Sequence, residues 1–208
     1  MDALTRRAAI LTAAAAGAAV AAAPALAAVK AAPGDMSLGD SKARIHVVEY
    51  LSLTCPHCAH FHEDIFPAFK AKYVDTGRVY FTIRELLTAP AQVAAAGFLM
   101  ARCNGGKNYF PIVDQVFKSQ SRWQQGNIKP IFVEIAKNNG LTEAQFEACI
   151  TDEKAQEELQ QRLEYATGTD KVTGTPTFFI NGVQLSNQDV PTLADLDAAI
   201  AKAAGGRR

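Results

Sequence analysis

A chain of 208 residues with 49% hydrophobic content is long enough for one good-sized domain with room for a large insertion. Lys plus Arg and Asp plus Glu balance at 21 each, so no excess of positive charge points to nucleic acid or to an anionic membrane surface. Both are set aside as partners.

The first 27 residues differ in kind from the rest. Arg6-Arg7 precede an Ala-rich apolar run from Ala8 to Ala23, which leads into Pro24-Ala25-Leu26-Ala27. A charged start, an apolar centre and an Ala-x-Ala exit predict a signal peptide cleaved after Ala27. The alternative, a transmembrane anchor, suits the segment less well, because the run is short and Ala contributes little to insertion. Thr5-Arg6-Arg7-Ala8-Ala9-Ile10-Leu11 partly resembles a twin-arginine export signal, with Ala9 where a bulky residue is usual. The expected location is therefore the periplasm. Loss of Asp2, Arg6 and Arg7 leaves 19 basic and 20 acidic residues, still near neutral. In an oxidising compartment the four cysteines, Cys55, Cys58, Cys103 and Cys149, can form and keep disulfides.

After a lead from residue 28 to 40, which includes a short edge strand at Met36–Leu38, the first strong strand signal runs from Arg44 to Leu53. Its nearly continuous apolar centre fits a strand covered on both faces. Pro56 to Asp75 is helical by spacing, with Phe61, Ile65, Phe69 and Tyr73 on one face and Pro67 as the expected kink site. Arg78–Arg84 alternates as a strand does, so strand, helix, strand implies a right-handed crossover and a parallel pair. From Pro90 to Thr167 the pattern is wholly helical, with candidates at 90–102, 108–119, 128–138, 142–150 and 152–166. Helices in such a run, with no strand among them, describe an inserted all-α subdomain. Their aromatic and apolar residues, among them Phe98, Phe117, Trp123 and Phe132, are its expected core; the alternative is that some of them line a groove. Strand character returns at Thr175–Ile180, followed by the hairpin dipeptide Asn181-Gly182, a strand at Val183–Leu185 and a closing helix from Pro191 to Ala203.

The chemistry centres on Cys55-Pro56-His57-Cys58, a Cys-x-x-Cys pair at the predicted start of a helix. Pro56 suits the first helical turn, where its missing N–H is of no consequence. Cys55 sits where free backbone N–H groups and the helix dipole favour a thiolate. Zinc knuckles also use Cys-x-x-Cys, but no second such pair exists here. Glu49 lies within the most apolar strand, six residues before Cys55, where a carboxylate is costly without a partner or a task. Strand alternation can place it beneath the dithiol as a proton relay for Cys58; the alternative is a carboxylate reaching solvent at a sheet edge.

Glu49-Tyr50 leading into Cys55-Pro56-His57-Cys58, followed by Gly174-Thr175-Pro176-Thr177-Phe178-Phe179-Ile180-Asn181-Gly182, resembles the DsbA-like thiol:disulfide oxidoreductases of the thioredoxin superfamily. The resemblance extends over about residues 35–203. It implies an α/β thioredoxin fold with an inserted all-α subdomain, divided as 41–89, 90–167 and 168–208. It also implies a cis proline at Pro176 facing the dithiol, with Thr175 offering backbone edges to an extended substrate. Cys55 is then the attacked sulfur, Cys58 the resolving thiol and His57 a tuner of the Cys55 thiolate. The resemblance implies reduced exported proteins as partners, a DsbB-type membrane protein as reoxidant, and no cofactor; a monomer is expected.

Alternatives stay open at this level. Thr175 departs from the valine of the best-known DsbA and also occurs in isomerase relatives, so a disulfide isomerase or reductase is the runner-up. Cys58 and His62 share an i, i+4 face, which with Cys55 suggests a metal-binding module as a reading of another class. Otherwise His60 is expected to pack near the active site, His62 to be a solvated helix residue, and His46 to lie at the surface. Cys103 and Cys149 fall near helix ends in the insertion, where some similar DsbA-like proteins carry a second disulfide; the alternative is two independent buried thiols.

Overall fold

The computed structural model describes residues 29–123, 125–186 and 190–205, so the expected signal peptide lies outside the described residues. Five strands form one sheet in the order β1-β3-β2-β4-β5: β1 (Met36–Leu38), β2 (Ile45–Leu51), β3 (Val79–Glu85), β4 (Thr177–Ile180) and β5 (Val183–Gln184). β2 is central, running parallel to β3 and antiparallel to β4. Its apolar run is explained by that place, because both of its edges are paired and both of its faces covered. Val47, Leu51, Phe81 and Ile83 join the larger core, while Val48 and Tyr50 face a smaller cluster with Leu86, Ala166 and Val172. Glu49 shares the parity of Val47 and Leu51, so it enters the larger core between them.

The helical span after β2 forms in four pieces: α1 (Pro56–His60), a π-helical turn at Phe61–Ile65, α2 (Phe66–Phe69) and a second π-helical turn at Lys70–Val74. Pro67 stands in the first turn of α2 directly after the first π-turn. Its missing N–H cannot close an ordinary helical bond, and the wider turn ahead of it takes up the irregularity. The apolar stripe survives, with Phe61, Phe69 and Tyr73 buried.

The insertion follows β3. It comprises α3 (Ala91–Arg102), α4 (Tyr109–Lys118), α5 (Gln120–Trp123), α6 (Ile128–Asn138), α7 (Glu143–Thr151) and α8 (Glu153–Glu164). Thr142 caps α7 with a reciprocal pair of hydrogen bonds to Gln145, and Asp152 caps α8 through the N–H of Ala155. Phe98, Phe117, Trp123 and Phe132 are all buried as core. α3, α6 and α7 enclose an open, mostly apolar groove beside Val93, Phe132, Phe146 and Ile150. Cys103 and Cys149 are joined by a disulfide with their Cα atoms 5.9 Å apart, linking the end of α3 to α7.

Charged side chains fasten this insertion to the sheet. Glu85, at the end of β3 and almost fully buried, accepts from Arg102 of α3 at 2.6 Å, Arg162 of α8 at 2.7 Å and the Tyr109 hydroxyl of α4 at 3.1 Å. One residue earlier, Arg84 donates to Asp35 and Asp170, each at 2.7 Å, and so ties the segment before β1 to the turn after α8. A positive φ at Asn181 and at Gly182 closes the β4–β5 hairpin, as the Asn-Gly dipeptide predicts. α9 (Leu193–Gly205) then packs Leu196 and Ile200 into the larger core. No helix among the described residues is long and apolar enough to cross a membrane.

Candidate active site

The loop Ser52-Leu53-Thr54 carries the chain from the central strand to the dithiol, and its placement is heavily determined. Ser52 Oγ accepts from the N–H and the hydroxyl of Thr88, both at 3.0 Å, while the Thr54 hydroxyl donates to the Thr88 carbonyl at 2.9 Å. Gln120 of α5 donates its amide to the carbonyls of Leu53 and Cys55, at 2.9 and 3.3 Å. Thr88, just ahead of the insertion, and Gln120 of α5, within it, thus hold the same loop from two sides. None of Ser52, Thr88 or Gln120 stands out in the sequence, because their partners are distant in the chain.

Cys55 is the residue preceding α1, with extended backbone angles, and Pro56 occupies the first turn. Both cysteines are free thiols; Cys55 is 7% exposed and Cys58 fully buried. Opposite them, the Thr175–Pro176 peptide bond is cis, as the family resemblance implies, and a second cis bond, Ala89–Pro90, begins the insertion. The Cys55 thiol donates to the Thr175 carbonyl at 3.3 Å.

The two thiols are driven apart in acidity. A hydrogen bond from the Cys58 thiol holds the Cys55 pKa down at about 5, helped by the Thr175 hydroxyl and the backbone N–H groups of Cys58 and His57, against the opposing effect of burial. The Thr175 Oγ1 atom is buried without a hydrogen-bond partner while Cys55 is a thiol. That orphan donor is therefore available to the thiolate. Cys58 moves the other way: burial raises it well above an ordinary thiol, and the hydrogen bond to Cys55 and the charge of Glu49 add to this. The result is one thiolate and one thiol at neutral pH.

Glu49 is fully buried in the central strand, with Ile83 and Phe178 beside it in register, so it does not reach solvent at an edge. Its Oε2 meets His62 Nε2 at 2.9 Å, and its Oε1 is buried with no partner. His62 is a correction to the sequence-based expectation: its side chain is 5% exposed rather than solvated. The i, i+4 spacing from the buried Cys58 points inward, and the aromatic rings of Phe61, Phe66 and Phe117 cover it. His60 is corrected in the opposite sense. Its exposed ring pairs with Asp64 at 2.7 Å, away from the dithiol. His46 is half-buried, hydrogen-bonded to Thr82 at 2.7 Å. His57 is exposed at the mouth of the site.

The metal-module alternative finds no support. Among the described residues no group of three or more His, Cys, Asp or Glu is placed to hold a metal ion.

Residues 31–202 match the profile of the family described as Thioredoxin. A putative protein-disulfide oxidoreductase of Rickettsia bellii (strain RML369-C) is 37% identical over 169 residues, covering 80% of this chain and 64% of the relative. The chain spans about three fifths of the length of the curated relatives it matches first. In solved structures, Wolbachia pipientis alpha-DsbA1 is similar at 30% identity and a TM-score of 0.75, covering 85% of this chain and 94% of that one. The oxidised BdbD of Bacillus subtilis is similar in fold at 19% identity and a TM-score of 0.70, covering 80% and 91%.

Proposed function

Since the chain belongs to the thioredoxin family, with the inserted helical subdomain of the DsbA proteins, we propose that it is a protein thiol:disulfide oxidoreductase acting as an oxidase of exported proteins. The observation that carries this is the split between the two thiols, with Cys55 at about pKa 5 and Cys58 held protonated behind it. A disulfide whose reduced form is stabilised as a thiolate gives up its oxidising equivalents readily.

In the oxidised enzyme, a client thiolate attacks Cys55 Sγ. The client–Cys55 bond forms, the Cys55–Cys58 bond breaks, and Cys58 leaves as a thiolate that takes a proton from Glu49. A second client thiolate then attacks the client sulfur, closing the client disulfide and expelling Cys55 as its stabilised thiolate. The client loses two electrons and the dithiol gains them. Thr175 and cis Pro176, facing the dithiol, hold the client chain through the Thr175 backbone. His57 contributes its N–H to the Cys55 thiolate and its exposed ring to the surface that the client meets. Reoxidation passes the two electrons on to a DsbB-type membrane protein and re-forms the Cys55–Cys58 bond. The periplasm is the proposed site of action, reached by the signal at residues 1–27, with the chain working as a monomer.

Equilibration of the Cys55–Cys58 couple with glutathione tests the oxidase. A potential far to the oxidising side of about −270 mV, the value typical of a thioredoxin, is expected, together with disulfide formation in a reduced, unfolded client. A couple as reducing as thioredoxin overturns the oxidase and favours the reductase. Cell fractionation with sequencing of the processed N-terminus tests the location.

A further inference from the structure

We propose that His62 is the positioning residue through which the resolving thiol exchanges its proton with solvent, standing between Glu49 and the protein surface. The proposal rests on the reading of Glu49 as proton partner of Cys58 and extends it.

A relay must end in water, and Glu49 by itself does not. Both Glu49 and Cys58 are fully enclosed, with 0% exposure. The neighbours of Glu49 in register, Ile83 on β3 and Phe178 on β4, carry no proton-transferring group. The carboxyl oxygen Oε1 has no protein partner, which leaves it for the proton of Cys58. The other oxygen is 2.9 Å from His62 Nε2. Of the three groups only His62 has any surface, with its side chain 5% exposed.

Imidazole is chemically suited to this place. It holds the bond to Glu49 either as a donor to the carboxylate or as an acceptor from the acid, and it can release a proton from its other nitrogen. The ring is fixed in that position. It stacks on Phe117 of α4 at 4.8 Å between centroids, and Phe66 and Phe61 close in at 4.8 and 5.5 Å. The titratable groups facing the relay are Glu49 from β2 and Cys55 and Cys58 from the dithiol. β3, β4 and α4 present Ile83, Phe178 and Phe117, while His60 and Asp64 pair with each other on the exposed side of the helix.

The step served is resolution of a mixed disulfide. Cys58 gives its proton to Glu49, and its sulfur attacks Cys55 Sγ. The Cys55–Cys58 bond forms, the bond from Cys55 to the other thiol breaks, and that thiol leaves with the electron pair. The proton passes from Glu49 to His62 and out. The reverse path supplies Cys58 when a client opens the disulfide.

The test uses the full mature chain with glutathione linked to Cys55, and follows glutathione release from pH 5.5 to 9. In wild type a rate that levels off across neutral pH is expected. His62→Phe keeps the aromatic packing and His62→Gln keeps a donor to Glu49, yet neither carries a proton. Both are expected to release glutathione at least tenfold more slowly at pH 7, with the rate climbing about tenfold per pH unit as hydroxide takes over. Alkylation of Cys55 in the reduced variants should keep the wild-type pH profile. Either variant releasing glutathione with the wild-type rate and profile overturns the proposal. Should both variants fail to fold, wild type alone decides: a rate proportional to hydroxide over the whole range overturns it, and a neutral plateau supports it. Failure of the oxidase reading would look different, as a wild-type Cys55 of ordinary acidity or an unreactive disulfide, whatever stands at position 62.

Discussion

The Cys55 sulfur lies 3.3 Å from the Thr175 carbonyl oxygen, so the start of α1 and the residue before cis Pro176 meet although they are 120 positions apart. The thiol donates to that carbonyl, and the thiolate has the otherwise unpartnered Thr175 hydroxyl to accept from. Thr175→Val removes this donor and leaves the backbone in place. A hydrogen bond to a charged group contributes on the order of 1.5 to 3 kcal/mol, so the Cys55 pKa should rise by roughly one to two units. Alkylation rate against pH measures it, and an unmoved midpoint would show that the hydroxyl plays no part.

Cys58 gives the largest support to the Cys55 thiolate. Cys58→Ala should therefore also move the Cys55 midpoint upward from about 5. The same titration reads it. A midpoint that stays put would transfer the effect to the helix N-terminus alone.

The lowered Cys55 pKa makes the stability of the reduced protein pH-dependent. The group is an acid whose folded value, about 5, lies below its ordinary value of 9.0. Its contribution is thus complete above pH 9 and is lost as pH falls through 5. Cys58 opposes it only above its own ordinary value of 9.0, where the unfolded chain would ionise and the folded one would not. Between pH 5 and 9 the Tm of the reduced form should therefore rise relative to that of the oxidised form, in which neither sulfur titrates. Parallel melting curves of the two forms check the sign. A difference that stays flat or shrinks with rising pH would contradict the thiolate.

Glu85 joins three helices of the insertion to the sheet through Arg102, Arg162 and Tyr109. Glu85→Ala strands a buried Arg162 without its counter-charge, and losses of about 3 to 5 kcal/mol are usual for half of a buried ion pair. Urea unfolding gives the number. A loss below about 1 kcal/mol would mean that the arginines find water instead.

Gly97, in the middle of α3, has no room for a methyl group. A Cβ there would lie 2.7 Å from Leu53 Cδ1 and 3.7 Å from Phe132, and Leu53 is fully buried two residues before Cys55. Gly97→Ala should cost about 1 to 3 kcal/mol by overpacking and alter Cys55 alkylation through displacement of the loop. Unchanged stability and reactivity would show that Leu53 has somewhere to go.

Much of this protein follows from short-range pattern. A nearly continuous apolar run locates β2, period-two spacing β3 and period-four spacing the helix after the dithiol, and Asn181-Gly182 announces its hairpin, since each signal depends on neighbours a few residues away. Cys55-Pro56-His57-Cys58 is legible for the same reason, its chemistry residing in one helical turn. His62 shows where such reading stops. Its spacing from Cys58 is visible, but a histidine beside Glu63 and Asp64 looks solvated until the rings of Phe66 and Phe117 are known to cover it.

By itself, then, the amino-acid order determined most of the elements, the dithiol and the acid placed in an apolar strand, because local spacing and composition decide those, while the short α5 and the π-turns after the dithiol went unread. Only the tertiary structure decided that Glu49 occupies the central strand with His62 as its partner, that Gln120 and Thr88 hold the loop leading to the dithiol, and that Thr175 meets Cys55. Those relationships join residues 13 to 120 positions apart, and chain closure in three dimensions, with the burial that accompanies it, is what brings their atoms within hydrogen-bond reach.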